Sequence, residues 1–240
     1  MTSGNNFLSP EGEVILINKP LGWTSFDAVK KIKNILAKNL EVKKIKAGHA
    51  GTLDPLATGL LIICTGKKTK IISEIQSLEK EYSGTFAIGA TTPSYDLETE
   101  VSDRKDFSFV TEEIIRDAAK HFTGKILQTA PLHSAKKIDG KRAYQIARKG
   151  KDAELKPVEV SIHKFEITNI DLPEVSFRVV CSKGTYIRSL AHDFGKHLGC
   201  GAYLSSLCRT RIGNYKLEDA LTPQEFEKEM LSTTQQTNTN

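Results

Sequence analysis

The chain has 240 residues, enough for one large domain or for one domain with a small appendage, and its 39% hydrophobic content suffices for a core. The longest apolar run, Leu60 to Cys64, is too short to cross a bilayer, and the polar first ten residues form no signal-peptide pattern, so we expect a cytoplasmic protein. Four cysteines without a C-x-x-C pair predict reduced thiols and no zinc site.

The net charge of +5 is unevenly distributed along the chain. Residues 26–50 hold seven lysines against two acids, residues 120–156 hold ten lysines and arginines against three, and residues 178–216 hold seven against one. Residues 94–118 instead hold eight acids against three bases. This segregation indicates either a polyanionic partner, most simply nucleic acid, or lysine-rich helices with solvated faces. Composition alone does not separate the two interpretations.

The first predicted elements are a strand and a helix. Residues 1–12 have the composition of a flexible lead-in, and the apolar run Val14–Ile17 predicts a buried strand. Thr24 and Asp27 have the spacing of a capping box, which predicts that a helix begins there. The apolar face of this helix would be formed by Val29, Ile32, Ile35 and Leu36.

A glycine-rich stretch, residues 48–59, precedes the apolar run that ends at Cys64. Its three glycines require sharp turns or a close approach of the backbone, and Pro55 biases Asp54 away from helix. The stretch presents one imidazole, His49, and one carboxylate, Asp54, from irregular backbone beside a strand, where functional groups often lie. The alternative is that Asp54 begins a turn and His49 is an ordinary loop residue.

The segment that follows this strand does not form a phosphate loop. Six residues separate Gly59 from Gly66, where the motif requires four, and a second lysine follows the first. A nucleotide triphosphatase is therefore excluded.

Alternating apolar residues predict strands over residues 81–90 and 174–181. Tyr82 would face inward on the first of these strands, where a structural tyrosine is the default interpretation. Thr111 caps a predicted helix, and further strands are expected between residues 158 and 167.

A further helical pattern runs from Ile187 to Gly199, with Tyr186 and Arg188 at the strand-to-helix junction. A terminal helix is predicted over residues 218–230, followed by a polar tail. Strands and helices mix without regular βαβ alternation, which favours an α+β fold.

Five motifs, in order along the chain, resemble those of the TruB family of tRNA pseudouridine synthases. The stretch around Asp54 is similar to the family's signature, and Lys80-Glu81-Tyr82 to its Lys-x-Tyr strand. The other matching segments are Ile17–Gly22, Pro131–Tyr144, and Cys181–Arg188 with Leu198–Ala202 after it. The resemblance implies the pseudouridine synthase catalytic fold over residues 13–217, with a mixed, largely antiparallel central sheet flanked by helices.

The resemblance also implies an activity, the isomerisation of uridine 55 in the T-loop of tRNA to pseudouridine. Asp54 matches the catalytic aspartate, and Arg188 matches the arginine that pairs with and orients this carboxylate. Residues implied to contact the flipped uridine are His49, Tyr82, Tyr186 and Leu207. Lys19 falls in the family's Lys-Pro motif, whose role is mainly structural.

The segment from about residue 124 to 156 resembles the family's tRNA-gripping insertion. The residues in it that would contact the RNA backbone are Lys136, Lys137, Lys141 and Arg142. His133 stands where the family often has an aromatic residue such as tyrosine, so no role is implied for it. Residues 218–240 are too few for the PUA domain that many bacterial members carry, and we expect an acidic and then polar tail there. The implied partner is the T-arm of tRNA, bound by a monomer that is not attached to a membrane.

The implied reaction breaks the N1–C1′ bond and forms a C5–C1′ bond without net redox change or hydrolysis. A carboxylate could attack C6 or C1′, or assist departure of the uracilate, and these routes stay open. The base must be flipped out of the folded loop, and no metal or other cofactor is needed.

Three other functions are less consistent with the sequence. A base-flipping zinc deaminase needs H-x-E and P-C-x-x-C motifs, and neither occurs. A hydrolase with an aspartate nucleophile would leave the basic segments unexplained. A non-catalytic RNA-binding factor would not need Asp54, Tyr82 and Arg188.

Overall fold

The computed structural model describes residues 11–132, 137–138, 141–142 and 155–237. The strands are β1 (Val14–Lys19), β2 (Ala47–His49), β3 (Ala57–Thr65), β4 (Lys80–Ile88), β5 (Gly124–Gln128), β6 (Lys137–Ile138), β7 (Lys141–Arg142), β8 (Val158–Asp171), β9 (Glu174–Cys181), β10 (Ala202–Ile212) and β11 (Tyr215–Lys216). The helices are α1 (Ser25–Asn39), α2 (Ile72–Ser77), α3 (Glu112–His121), α4 (Ile187–Leu198) and α5 (Pro223–Thr237). The chain forms two compact units, one from Met1–Lys80 with Cys208–Asn240 and one from Glu81–Leu207.

In the first unit, β3 is the central strand. It pairs antiparallel with β1, where Ile17 lies opposite Leu61, and with β2, where His49 lies opposite Ile63. The C-terminal part of β10 also neighbours β3, and β11 pairs with β10. Because strands cover β3 on both sides, its continuous apolar sequence is buried, as its composition predicts.

Helix α1 begins as the sequence predicts. The Thr24 hydroxyl accepts a hydrogen bond from the Asp27 amide at 3.1 Å, and the Asp27 carboxylate accepts one from the Thr24 amide at 3.0 Å. This reciprocal arrangement satisfies two backbone donors at the helix start. The predicted apolar face is buried along the helix, with Ile32 and Leu36 almost inaccessible to solvent.

Helix α5 returns the chain to the first unit. The predicted helix over residues 218–230 begins later, at Pro223, and continues to Thr237. Phe226 and Met230 are fully buried, and Glu227 forms a 2.6 Å ion pair with Lys31 of α1. Residues beyond 217 therefore contribute side chains to the core of this unit.

In the second unit, the strand order is β10-β4-β9-β8-β5. The pairings of β5 with β8 and of β8 with β9 are antiparallel, and β8 is one long strand with two irregularities where separate strands were expected. Its core holds a cluster of phenylalanines with tilted rings, and the ring centroids of Phe86 and Phe177 are 4.2 Å apart and those of Phe86 and Phe194 5.4 Å apart.

Two boundaries in this unit bear on the site. Helix α4 begins at Ile187 and ends before Gly199, whose φ of +81° is the left-handed conformation typical of a glycine that ends a helix. Strand β5 pairs with β8 from Gly124 to Gln128, so the first five residues of the predicted insertion belong to the sheet. None of the helices within the described ranges is long and apolar enough to cross a membrane.

Candidate active site

Asp54 lies in the loop between β2 and β3, and its side chain is half-buried. Its own carbonyl oxygen accepts a hydrogen bond from the Ala57 amide at 3.1 Å, which closes a turn just before β3. Gly51 has a φ of +117°, a conformation that residues other than glycine rarely adopt. The loop is thus irregular where the sequence predicts it, and the carboxylate projects from a closed turn.

Arg209 of β10 fixes the first half of this loop. Its side chain is fully buried, and Nε donates a hydrogen bond of 2.8 Å to the Leu60 carbonyl. Nη2 donates to the Gly51 carbonyl at 3.0 Å and Nη1 to the Thr52 carbonyl at 3.4 Å. A buried guanidinium needs such acceptors, and in satisfying them it ties the loop to the first residues of β3.

The residues on either side of Asp54 are anchored by the beginning of α1. The Ser25 hydroxyl accepts a hydrogen bond from the Leu53 amide at 2.8 Å and donates one to the Leu53 carbonyl at 3.1 Å. The Gly22 amide donates to the Pro55 carbonyl at 2.9 Å. Backbone hydrogen bonds therefore hold both neighbours of the aspartate.

Lys19 adds a positive charge beside this loop. It is completely buried, and its ammonium donates to the carbonyls of Trp23 at 2.6 Å, Pro20 at 3.0 Å and Pro55 at 3.5 Å. Burial lowers its pKa to about 8, and attraction to the Asp54 carboxylate opposes this shift. Lys19 is thus protonated at neutral pH, and its charge interacts with that of Asp54 in addition to its structural role.

His49 ends β2 in the same unit. Burial lowers the pKa of its imidazole, so the ring is neutral at pH 7. Its Nδ1 atom is buried and has no hydrogen-bond partner among the described residues. An unsatisfied buried nitrogen costs free energy, and such atoms in native structures call for an explanation.

Close packing of β3 against β10 explains the last glycine of the loop. Gly59 has a φ of +99°, and a β-carbon there would lie 2.7 Å from the Arg209 amide nitrogen and closer still to its carbonyl oxygen. A side chain at this position would separate the two strands. Gly59 therefore allows β10 to bring Arg209 against the loop.

In the second unit, Tyr82 and Leu207 lie on neighbouring strands, β4 and β10. Tyr82 is buried, with 9% of its surface exposed, and Leu207 is half-buried. A β-carbon on Gly84 would lie 2.9 Å from the Phe177 ring and closer to the Ser206 carbonyl, so the strands approach tightly two residues from Tyr82. The inward orientation predicted for Tyr82 is confirmed.

The backbone of Tyr186 is held by a side-chain amide at the end of β5. The Tyr186 amide donates to Gln128 Oε1 at 2.7 Å, and Gln128 Nε2 donates to the Tyr186 carbonyl at 3.0 Å. This pair of bonds fixes the residue that precedes α4. A cavity of about 260 Å³ beside it is lined by Gln128, Ala130, Val158, Val160, Gly184 and Tyr186.

Arg188, in the first turn of α4, has only 3% of its surface exposed. Its Nη1 donates to the Ser94 carbonyl at 3.2 Å, and its Nε lies 3.6 Å from the carboxylate of Asp96, which is itself 4% exposed. The guanidinium is therefore oriented by two groups from one short loop. The sequence did not single out either of these groups.

The predicted site residues are divided between the two units. His49 and Asp54 belong to the first unit, and Tyr82, Tyr186, Arg188 and Leu207 belong to the second. Lys137 pairs with Arg142 and Ile138 with Lys141 across β6 and β7, whereas Lys136 and His133 lie outside the described residues.

Sequence reasoning missed the anchoring role of Arg209 and the carboxylate of Asp96. The signal for Arg209 was an arginine inside an otherwise apolar strand pattern, since a charge in such a place needs buried acceptors. Asp96 carries no comparable signal, because it is one of many acids in a polar loop.

Two family models match consecutive parts of the chain. The TruB family pseudouridylate synthase model, for the N-terminal domain, matches residues 37–187. The tRNA pseudouridylate synthase B C-terminal domain model matches residues 188–240.

Relatives of similar length are named tRNA pseudouridine synthase B. The protein of Flavobacterium johnsoniae is 55% identical over 92% of this chain and 96% of its own length. The protein of Phocaeicola vulgatus is 54% identical over 90% of this chain and 92% of its own length.

Solved structures show the same fold, and the chain spans about half the length of the solved chains it matches. A Cbf5–Nop10–Gar1 complex matches with a TM-score of 0.66 and 32% identity over 88% of this chain and 52% of that chain. An H/ACA RNP bound to a substrate RNA containing 2′-deoxyuridine matches with a TM-score of 0.65 and 29% identity, over 91% of this chain and 53% of that chain. The predicted α+β pseudouridine synthase fold is confirmed, and the chain belongs to the TruB family of pseudouridylate synthases.

Proposed function

We propose that this protein converts uridine 55 in the T-loop of tRNA to pseudouridine, with the Asp54 carboxylate as nucleophile. The reaction breaks the N1–C1′ bond and joins C5 to C1′, while C5 loses a proton and N1 gains one. A carboxylate that adds to C6 is released after C5 has bonded to C1′, whereas one that displaces the uracil from C1′ is itself displaced as C5 forms the new bond. The enzyme is therefore regenerated without any redox partner or water as a reactant.

The observation that carries this proposal is the anchoring of the loop on both sides of Asp54. Every residue from 51 to 55 has a backbone hydrogen bond, and the anchoring groups are Gly22, Ser25, Ala57, Lys19 and Arg209. A nucleophile must be held near its reacting atom, and a misplacement of about 1 Å can cost a hundredfold in rate. A loop that served only as a connection would not need a buried arginine and a buried lysine.

The residues for the base come from the second unit. Tyr82 offers an aromatic face to a flipped uracil, and base–aromatic stacking is worth about 1–3 kcal/mol. Leu207 and Tyr186 line the uridine pocket, and the apolar side chain of Leu207 excludes water that would otherwise compete for the cleaved uracil.

Arg188 and His49 complete the proposed machinery. In this proposal Arg188 orients the Asp54 carboxylate, while the Ser94 carbonyl and the Asp96 carboxylate bind and approach its own guanidinium. His49 is neutral at pH 7, and its imidazole contacts the substrate loop during extrusion of the base.

The T-arm is the part of tRNA that the protein binds in this proposal. Lys136, Lys137, Lys141 and Arg142 contact its phosphates, since lysines and arginines supply the salt-dependent part of RNA affinity. The protein acts as a cytoplasmic monomer on one tRNA at a time.

Replacement of Asp54 by Asn tests the role of the nucleophile. The amide keeps the size of the side chain but cannot add to a ring or ribose carbon, so the rate should fall by at least about 10³-fold. Affinity for tRNA should change less than about threefold, because phosphate contacts dominate it. The measurements are pseudouridine mapping on an unmodified tRNA transcript and filter binding of the same transcript.

Asp117→Asn is the matched control, because Asp117 lies on the exposed face of α3, where it pairs with Lys120. This variant should have wild-type activity. Full activity of Asp54→Asn would reject Asp54 as the nucleophile. A wild-type protein that binds the transcript but forms no pseudouridine would instead be a non-catalytic RNA-binding factor.

A further inference from the structure

A tight turn between Thr92 and Thr99 presents two polar groups to Arg188. The Ser94 carbonyl and the Asp96 carboxylate come from either side of Tyr95, which has a φ of +65°. With this left-handed residue between them, the two polar groups approach one guanidinium. A bulky residue rarely adopts this conformation, so its neighbours must stabilise it.

The ring of Tyr95 stacks on His192, one helical turn after Arg188 on α4. The ring centroids are 4.0 Å apart and the planes differ by 19°. The main chain of the turn is also held, since the Leu204 amide of β10 donates to the Tyr95 carbonyl at 2.9 Å. Tyr95 is therefore fixed by its ring to the same helix that carries the arginine.

Two unfavourable features meet at this stack. The first is the left-handed backbone of Tyr95, and the second is His192 Nδ1, which is buried without a hydrogen-bond partner among the described residues. Burial, with a smaller contribution from Lys196, lowers the pKa of His192, so its ring is neutral at pH 7. Strained residues and unsatisfied groups concentrate where structure serves function rather than stability.

We propose that the Tyr95–His192 stack is a positioning element for catalysis, which locks the turn so that Ser94 and Asp96 hold Arg188 in its working orientation. Neither ring touches the substrate in this proposal. The inference rests on the proposed role of Arg188 toward Asp54, and it assigns a function to two residues that the reaction itself does not use.

Removal of one ring should slow the chemistry without weakening tRNA binding. His192→Ala should lower the single-turnover rate of pseudouridine formation by about three- to tenfold, the range that an aromatic pair is worth. The dissociation constant for tRNA should stay unchanged. His192→Phe, which restores a flat ring without the unsatisfied nitrogen, should recover the rate to within about twofold.

A double-variant comparison separates positioning from general stability. In an Asp96→Asn background, His192→Ala should cause a smaller loss of rate than in the wild type, because one of the two groups that the stack positions against Arg188 is already gone. His197→Ala is the matched control, since His197 is on the same helix and stacks on His121 with centroids 4.4 Å apart. It should keep the wild-type rate.

An additive loss in the double variant, a wild-type rate for His192→Ala, or no recovery with His192→Phe would overturn the proposal. Hydrogen exchange gives a readout that does not depend on activity. The Leu204 amide should exchange faster in His192→Ala than in the wild type, and unchanged exchange would also overturn the proposal. An inactive wild-type protein would instead contradict the proposed function, while the exchange result would still decide whether the stack holds the turn.

Discussion

Burial of the Lys19 ammonium is unfavourable by itself, and the groups around it compensate for most of this free energy. A buried ammonium is unfavourable unless acceptors surround it, and three backbone carbonyls together with the Asp54 charge supply the compensation. The compensation is incomplete, since the pKa of Lys19 is lowered to about 8. The remaining cost of the charge should appear in the pH dependence of stability.

We predict that the free energy of unfolding of the wild type, relative to that of Lys19→Met, increases as the pH rises from 8 to 10.5. In this window the unfolded chain still binds the Lys19 proton and the folded chain has lost it, so the free energy of unfolding increases with pH. The gain should be about 1–3 kcal/mol, measured by urea unfolding at several pH values.

Lys38→Met, on an exposed part of α1, is the matched control for the loss of one positive charge. If the difference in free energy of unfolding between the wild type and Lys19→Met stays constant from pH 7 to 10.5, burial does not lower the pKa of Lys19.

Among the elements, the contact of β3 with β10 sets the geometry of the loop that carries Asp54. The strands approach so closely at Gly59 that a β-carbon would meet the Arg209 backbone and the Cys208 sulfur. Arg209 can reach the Gly51 and Thr52 carbonyls only because this contact exists. A single methyl group should therefore disturb both stability and catalysis.

Gly59→Ala should destabilise the protein by about 3 kcal/mol or more, because backbone strain adds to a steric clash. Gly199→Ala is the matched control: Gly199 also has a positive φ, but no atom lies within 4 Å of a β-carbon placed there. It should cost only about 1 kcal/mol. Urea unfolding measures both, and equal losses would show that the strand contact is not the cause.

The elements also mark how far the sequence could predict this site. Local patterns predict the capping box of Thr24, the buried strand after the loop and the end of α4 at Gly199, because each depends on neighbouring residues. The partners of Arg209 lie about 150 residues away and are backbone carbonyls, which no side-chain pattern reports. The stack of Tyr95 on His192 also joins residues far apart in the sequence and depends on an unusual backbone angle.

At the scale of the whole molecule, positive charge is concentrated in one segment of the sequence, whereas several lysines elsewhere form surface ion pairs. Several exposed lysines are neutralised, among them Lys120 by Asp117 and Lys164 by Glu166, both at 2.8 Å. Residues 133–151 hold seven lysines and arginines against one acid. This imbalance favours the phosphate-binding role proposed for Lys136 and Lys137.

Replacement of Lys136 and Lys137 together by Ala should weaken tRNA binding and flatten its dependence on salt. Each lost phosphate contact removes about one unit from the slope of log K against log[salt], so the slope should fall by about 1.5 to 2. Filter binding between 50 and 200 mM salt, roughly the range in which such contacts matter, measures it.

The paired lysines provide the control, since Lys120 and Lys164 replaced together by Ala should leave the slope unchanged. An unaltered slope in the Lys136 and Lys137 variant would exclude these residues as phosphate contacts.

The discontinuity of the first unit has a consequence for synthesis on the ribosome. Residues 1–80 leave the exit tunnel early, but Arg209, which ties down the loop of Asp54, is translated only after the whole of residues 81–207. The nascent first segment lacks this guanidinium, and the helix that carries Phe226, until residues 81–207 have been translated. A nascent chain stalled before codon 209 would therefore carry Asp54 without the hydrogen bonds that Arg209 donates to its loop.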